Sequence, residues 1–400
     1  MTAAEIEGRP TFNAYPLKLH LDLTADCNLE CPSCPFTPPR AWARKNDPTR
    51  ILHVGLDTLT QFASEVFPHI HAVCPTIAGE PMMYPFWPEF VELCREYGVC
   101  IETYTNGTYL DEASLAPLAG VLNELIVSMD GASPETFDVL RKPAKLHDVV
   151  ARLHLVREWR ASLTEAIRPT VLINSTLSLP WVHELPAMVR LAADCGVDAL
   201  VVGHVQSLNE YWRRQRPGLE PERTDAALVA AAAEARRLGI GLEAPRLFGS
   251  DENVSHHVQR QGRMVRYPPR PTEHKYHCHY PWRELFVSLD GTVAPCCGIG
   301  RPNLGNLHTD GDLRTLFHHP ELARIRSGLV SGDLHSACGS CQKLAMFGGL
   351  QYEQASFDDD YHALRGMLRE HDRSSNSNGP REARVSGSSP SAIEKPPRDS

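Results

Sequence analysis

From about residue 17 to residue 206 the chain alternates six times between short runs of strand character and longer runs of helical period. This alternation constrains the fold most, because successive strand–helix units build a parallel sheet covered by helices. The expected strands are 17–24, 70–78, 99–106, 122–130, 170–176 and 199–206, with the clearest helices at 56–67, 86–97, 146–162, 181–195 and 224–238. Six units predict an α/β fold, an open partial (β/α)6 barrel.

The first strand alternates strictly, with Leu17, Leu19, Leu21 and Leu23 on one face and Lys18, His20, Asp22 and Thr24 on the other. In a barrel the leucines would meet the helices and the polar row would face the lumen. The same parity sends Glu102, Tyr104 and Asn106 inward, then Ser128 and Asp130, Asn174 and Thr176, and His204 and Gln206. These rows gather toward the carboxyl ends of the strands, where barrel enzymes bind their ligands. His20, Glu102, Tyr104 and His204 are therefore catalytic candidates, the two imidazoles because they exchange protons near neutral pH.

Just after the first strand, Cys27, Cys31 and Cys34 stand at C-x3-C-x2-C, and no further cysteine follows until Cys74. Zinc prefers four ligands in a tetrahedron, and this loop offers three. A [4Fe–4S] cube that only carries electrons also takes four thiolates, so three leave one iron open to another ligand. In these residues the chain resembles the radical S-adenosylmethionine (SAM) superfamily. The resemblance implies a [4Fe–4S] cluster on the three cysteines whose open iron binds the amino and carboxylate groups of SAM. One electron from such a cluster splits the sulfonium, and the 5′-deoxyadenosyl radical takes a hydrogen atom from substrate.

Further motifs follow in the order the resemblance requires. Ala78-Gly79-Glu80-Pro81 is similar to the turn that contacts the SAM amino group, with Gly79 and Glu80 in the matching places. Thr105-Asn106-Gly107, Ser128-Met129-Asp130-Gly131 and the inward Asn174 stand at strand ends, and the resemblance makes Asn106, Ser128, Asp130 and Asn174 cofactor-binding. Where the family has an aromatic before the last triad cysteine this chain has Ser33, with Phe36 close by.

A second cysteine set begins at Cys278. The segment from Glu284 to Cys297 reads as two short strands around Asp290-Gly291, a type I′ hairpin signal, so Cys296 sits at the far end of a hairpin whose entrance is near Cys278, and Cys338-x2-Cys341 closes the set. Four thiols suit zinc or a [4Fe–4S] cluster equally by count. The pattern Cys278-x12-Gly291-x4-Cys296 with Cys338-x2-Cys341 resembles the auxiliary-cluster domain called SPASM or, in its short form, Twitch. The resemblance implies a small C-terminal iron–sulfur domain with Cys278, Cys296, Cys338 and Cys341 as ligands, hence two [4Fe–4S] clusters and SAM as cofactors. Cys297 adjoins a ligand, and a thiol there could return hydrogen to a carbon radical. Cys74, Cys94, Cys100 and Cys195 read as small buried hydrophobes.

These divisions give an extension over 1–16, the barrel over 17–206, a connection over 207–277, the auxiliary domain over 278–345, a helical segment over 346–370 and a disordered tail over 371–400. Lys and Arg total 40 against 49 Asp and Glu, a net −9 that disfavours nonspecific nucleic-acid binding. No apolar run spans a bilayer and no secretory signal opens the sequence, so a cytoplasmic protein without membrane contact is expected. The resemblance and the polar lumen suggest a small hydroxyl-rich substrate, a carbohydrate or aminocyclitol oxidised to a ketone in antibiotic or related natural-product biosynthesis, with a flavodoxin- or ferredoxin-type reductant. The alternatives are sugar epimerisation and maturation of a ribosomally made peptide. Only 16 residues precede the first strand, short of a peptide-recognition domain, which ranks the peptide second.

Overall fold

The alternating leucines of the first strand do what their period demands. Leu19, Leu21 and Leu23 lie in the main core between sheet and helices, and His20 faces the opposite way. The structure is a computed structural model, and it describes residues 3–34, 52–205, 210–250, 252–260, 263–264, 274–297, 301–310, 312–339, 341 and 343–348. All of these fall within one compact unit, Met1–Leu364. Phe36, Gln206 and the expected segments beyond residue 348 lie outside the described residues.

The strands in chain order are β1 (Lys18–Leu21), β2 (Ala72–Cys74), β3 (Cys100–Thr105), β4 (Leu122–Ser128), β5 (Thr170–Leu177), β6 (Ala199–His204), β7 (Gly241–Glu243), β8 (Gln259–Arg260), β9 (Arg263–Met264), β10 (Glu284–Val287), β11 (Thr292–Ala294) and β12 (Gly305–Asn306). The main sheet runs β12-β11-β10-β1-β2-β3-β4-β5-β6-β7, parallel from β10 through β7, and β8 pairs with β9 apart from it. All six expected strands are present. Two features go beyond the sequence reading: β7 lies in the stretch taken as a connection, and the C-terminal hairpin joins the barrel sheet through parallel pairing of β10 with β1.

Helices fill the intervals. Leu146–Ser162 forms as expected, and Pro221–Leu238 starts on a proline in its first turn and ends where Gly239 takes a left-handed conformation at φ 68°. Proline cannot donate at that position and is not asked to, while glycine adopts the closing conformation without Cβ strain. Leu228, Ala231, Ala232 and Ala235 form its buried stripe.

The hairpin turn differs from expectation. Gly291 N–H donates to Ser288 C=O and Ser288 N–H to Thr292 C=O, with Gly291 at φ 84°, which is a three-residue loop with a glycine bulge instead of a two-residue type I′ turn. The lumen is also less uniformly polar than expected. Ile126, Leu172, Ala199 and Val201 make an apolar wall there with Tyr104, and polar groups concentrate on the β10, β1, β2 and β3 side.

Candidate functional site

The loop after β1 that carries Cys27, Cys31 and Cys34 is tied down from several directions. Buried Asp22 accepts the N–H groups of Ile77 and Ala78 at 2.6 and 3.0 Å, which draws the turn after β2 against it, and burial raises its carboxyl pKa to about 6. Glu80 N–H donates to Asp26 C=O at 2.7 Å. Between them, a Cβ on Gly79 would stand 2.2 Å from Thr24 C=O, so only glycine allows this approach. Glu30 N–H donates to Lys142 C=O, Cys34 N–H to Cys31 C=O, and the Trp212 indole to Pro32 C=O at 2.9 Å.

Cys31 is buried, and its thiol is pushed up to about 11 by burial and by the neighbouring Cys34 and Cys27, against the pull of Arg141. Among the described residues no three His, Cys, Asp or Glu side chains stand gathered as a preformed single-ion site. What the loop presents is a set of three thiols, with one guanidinium near Cys31 and Cys34. That donor set fits a cluster held by three thiolates, whose charge Arg141 would partly balance.

Arg141 was not singled out from the sequence. Its Nε lies 2.7 Å from Asp130 Oδ2, and although burial opposes its charge, Asp130, Cys31 and Cys34 together hold its pKa above the ordinary value. The only sequence signal was an arginine shortly after the Asp130-Gly131 turn. Asp130 is 2% exposed and its other oxygen accepts Thr176 N–H at 2.6 Å, so its carboxylate aims Arg141. Ser128, the last residue of β4, is the register partner of Asn174 within β5, and Met129 N–H donates to Asn174 C=O. Glu80 is buried, and its carboxylate accepts Thr105 Oγ1 and Asn106 N–H, both at 2.7 Å, with burial raising its pKa to about 7. Asn106 points its amide at Cys27. Thus Gly79, Glu80, Asn106 and Asp130 surround the triad, with Arg141 completing the set that could hold a cofactor carboxylate bidentately.

The catalytic candidates divide. Glu102 accepts Lys18 Nζ at 2.7 Å and Asn123 Nδ2 at 2.9 Å, near the amino end of β3 instead of its carboxyl end. His20 stacks on Phe286 and shares a 2.6 Å hydrogen bond with Glu284, which His279 also approaches at 3.2 Å. Burial first, then Lys18, lowers the His20 pKa to about 4, so this imidazole is neutral. Tyr104 lines the apolar wall. His204 corrects the sequence reading: the lumen row of β6 is Ala199, Val201 and Gly203, and His204 pairs with Leu177 on the other side, stacked on Phe248. Ala199–Val202 are all apolar, so polarity could not reveal which parity faces inward.

The second cysteine set converges. Cys278 is raised well above the ordinary thiol value by burial and then by Cys296, Cys338 and Cys341. Cys338 is pushed to about 12 by burial and Cys341, and Cys341 is raised by burial against N–H groups of Leu344 and Lys343. Cys297 is exposed and lies near enough to raise Cys341. Cys74, Cys94 and Cys195 are buried as expected, whereas Cys100, at the first position of β3, is exposed.

Comparison with known proteins agrees with this arrangement. Residues 278–342 match SPASM, an iron–sulfur cluster-binding domain. The chain is 26% identical over 352 residues to a PqqA peptide cyclase of Xanthomonas campestris pv. campestris, covering 83% of this chain and 84% of that protein. The fold is similar to Streptococcus suis SuiB bound to precursor peptide SuiA (TM-score 0.56, 15% identity, 83% of this chain, 71% of that one). It is also similar to native anSMEcpe with bound AdoMet and Cp18Cys peptide (TM-score 0.54, 16% identity, 90% and 99%).

A C-terminal SPASM domain is present, and together with the peptide cyclase relatives and the shared fold it supports placing the chain in the radical SAM superfamily, in the subgroup with such a domain. With that family come SAM binding and iron–sulfur clusters. Among the described residues no helix is long and apolar enough to cross a membrane.

Proposed function

We propose that this protein is a radical SAM enzyme that modifies a peptide. The observation that carries the reading is the match to a PqqA peptide cyclase over more than four-fifths of both chains. Two neighbours of the same fold were solved with peptides bound, which supports the same reading. Oxidation of a carbohydrate, favoured from sequence, and its epimerisation, kept there as an alternative, have no support among these relatives. The polar lumen groups that suggested a hydroxyl-rich ligand are also already paired, Glu102 with Lys18 and Asn123, and Glu284 with His20.

In this reading Cys27, Cys31 and Cys34 hold one [4Fe–4S] cluster and Cys278, Cys296, Cys338 and Cys341 a second. Gly79, Glu80, Asn106, Ser128, Asp130 and Asn174 frame the SAM site. The bound cluster and SAM supply the 5′-deoxyadenosyl radical that abstracts hydrogen, with a flavodoxin- or ferredoxin-type protein as electron source. Arg141, fixed by Asp130, offers the amino-acid carboxylate of SAM a paired donor. Tyr104, Ile126, Leu172 and Val201 give a side chain entering the lumen an apolar wall, and His20 and Glu284 face it with polar groups.

The test is anaerobic incubation with SAM and dithionite, offering as peptide the product of any short open reading frame found beside the gene, against a mixture of aminocyclitols and sugars. The reading expects 5′-deoxyadenosine formation stimulated by the peptide, with a mass change on the peptide alone. Stimulation by the sugars and not by the peptide would overturn it.

A further inference from the structure

Asn106 sits where β3 ends, 7% exposed, and its position is fixed at both backbone and side chain. Its N–H donates to the buried Glu80 carboxylate at 2.7 Å, and its Oδ1 accepts Thr108 N–H at 2.9 Å and Thr108 Oγ1. A backbone N–H can only donate, so this bond settles which way the amide is turned. The NH2 end must then face the cysteine loop. There Nδ2 donates to Asn28 Oδ1 at 2.8 Å and lies 3.8 Å from Cys27 Sγ, while Asn28 Nδ2 returns to Thr108 Oγ1 at 2.9 Å. Asn28, Asn106 and Thr108 close a ring of hydrogen bonds that leaves one amide hydrogen for the sulfur.

Cys27 Sγ also lies 3.5 Å from Leu29 N–H, so two N–H dipoles point at this thiol. Donors aimed at a cluster's thiolates favour the state carrying the extra electron, and hydrogen bonds to the sulfurs are among the factors that set the potential. We propose that Asn106, held by Glu80 and Thr108, is a positioning residue whose amide donates to Cys27 and raises the reduction potential of the triad cluster. This rests on the triad holding a [4Fe–4S] cluster.

The experiment is an EPR-monitored potentiometric titration of the full-length, reconstituted protein, taking as the triad signal the one that SAM perturbs. Asn106→Ala should lower the reduced-to-oxidised ratio at fixed potential about tenfold, ~59 mV for a one-electron couple. Asn106→Asp, which keeps the Thr108 contacts but turns an acceptor toward the sulfur, should lower it further. Thr108→Val keeps the backbone anchor of Asn106 and should leave the potential unchanged. A loaded Asn106→Ala cluster with the wild-type potential would overturn the inference. So would loss of the cluster in both Asn106 variants with retention in Thr108→Val, since the role would then be structural. Absence of any SAM-perturbed signal in the wild type would instead overturn the cluster reading beneath it.

Discussion

Trp212 donates its indole N–H to the carbonyl oxygen of Pro32 at 2.9 Å, joining the segment after β6 to the middle of the cysteine loop after β1. The two residues are far apart in sequence, yet the indole is 2% exposed and can find no water to replace this acceptor. Trp212→Phe keeps most of the buried ring and removes the bond, at a cost of about 1 kcal/mol. Iron should leave the triad to a chelator several-fold faster in this variant, with the auxiliary cluster unaffected. Equal release rates would show that the bond does not hold the loop.

Arg141 and Asp130 form a buried pair, so removing one partner strands the other. Arg141→Met should destabilise the protein by about 3–5 kcal/mol, the usual effect of an uncompensated buried charge. It should also weaken SAM binding more than tenfold. Adding Asp130→Asn should restore much of the stability, because the Thr176 N–H keeps an acceptor, without restoring SAM binding. Denaturant titration and SAM equilibrium binding separate the two effects.

The division into an open triad and a closed tetrad predicts about eight irons per chain, four per cluster. Replacing Cys27, Cys31 and Cys34 by alanine should leave about four and abolish SAM cleavage. Replacing Cys338 or Cys341 should spare SAM binding and impair peptide turnover. Iron and zinc analysis of anaerobically purified protein checks this, and zinc at the second site would contradict it.

His204 supplies a pH dependence. Burial lowers its pKa to about 3 from an unfolded value of 6.5, so the folded state binds the proton less readily than the unfolded chain. Its contribution is complete above pH 6.5 and is lost as pH falls below it, at ~1.4 kcal/mol per unit. Between pH 7 and 5.5 the wild type should therefore lose about 1 kcal/mol more stability than His204→Phe. Parallel denaturation midpoints in the two proteins would refute this.

The six barrel strands and their leucine face were legible because one polar row alternated with one apolar row. Parity failed at β6, where Ala199–Val202 carry no polarity contrast. Spacing marked the two cysteine sets as candidate ligands, and the resemblance, not the spacing, chose a cluster over zinc for the second set. Arg141 was not, because a single arginine after a turn has no distinguishing neighbour in sequence and acquires its role only when the Asp130 carboxylate reaches it. The pairing of β10 with β1 was equally hidden. Both are four-residue strands, and nothing local records which distant edge each will accept.

That pairing has a consequence for synthesis. Lys18 to Leu21 align with Glu284 to Val287, so the first barrel strand to leave the ribosome waits for a neighbour made roughly 260 residues later. At about 5–20 residues per second the interval is on the order of 13–50 seconds. Throughout it one edge of β1 is an unpaired template for stray strands, a few residues from three thiols that oxygen can attack. The nascent chain is thus most vulnerable to aggregation and oxidation together, at the same end and over the same interval, and production should improve when translation and iron–sulfur loading both proceed without air.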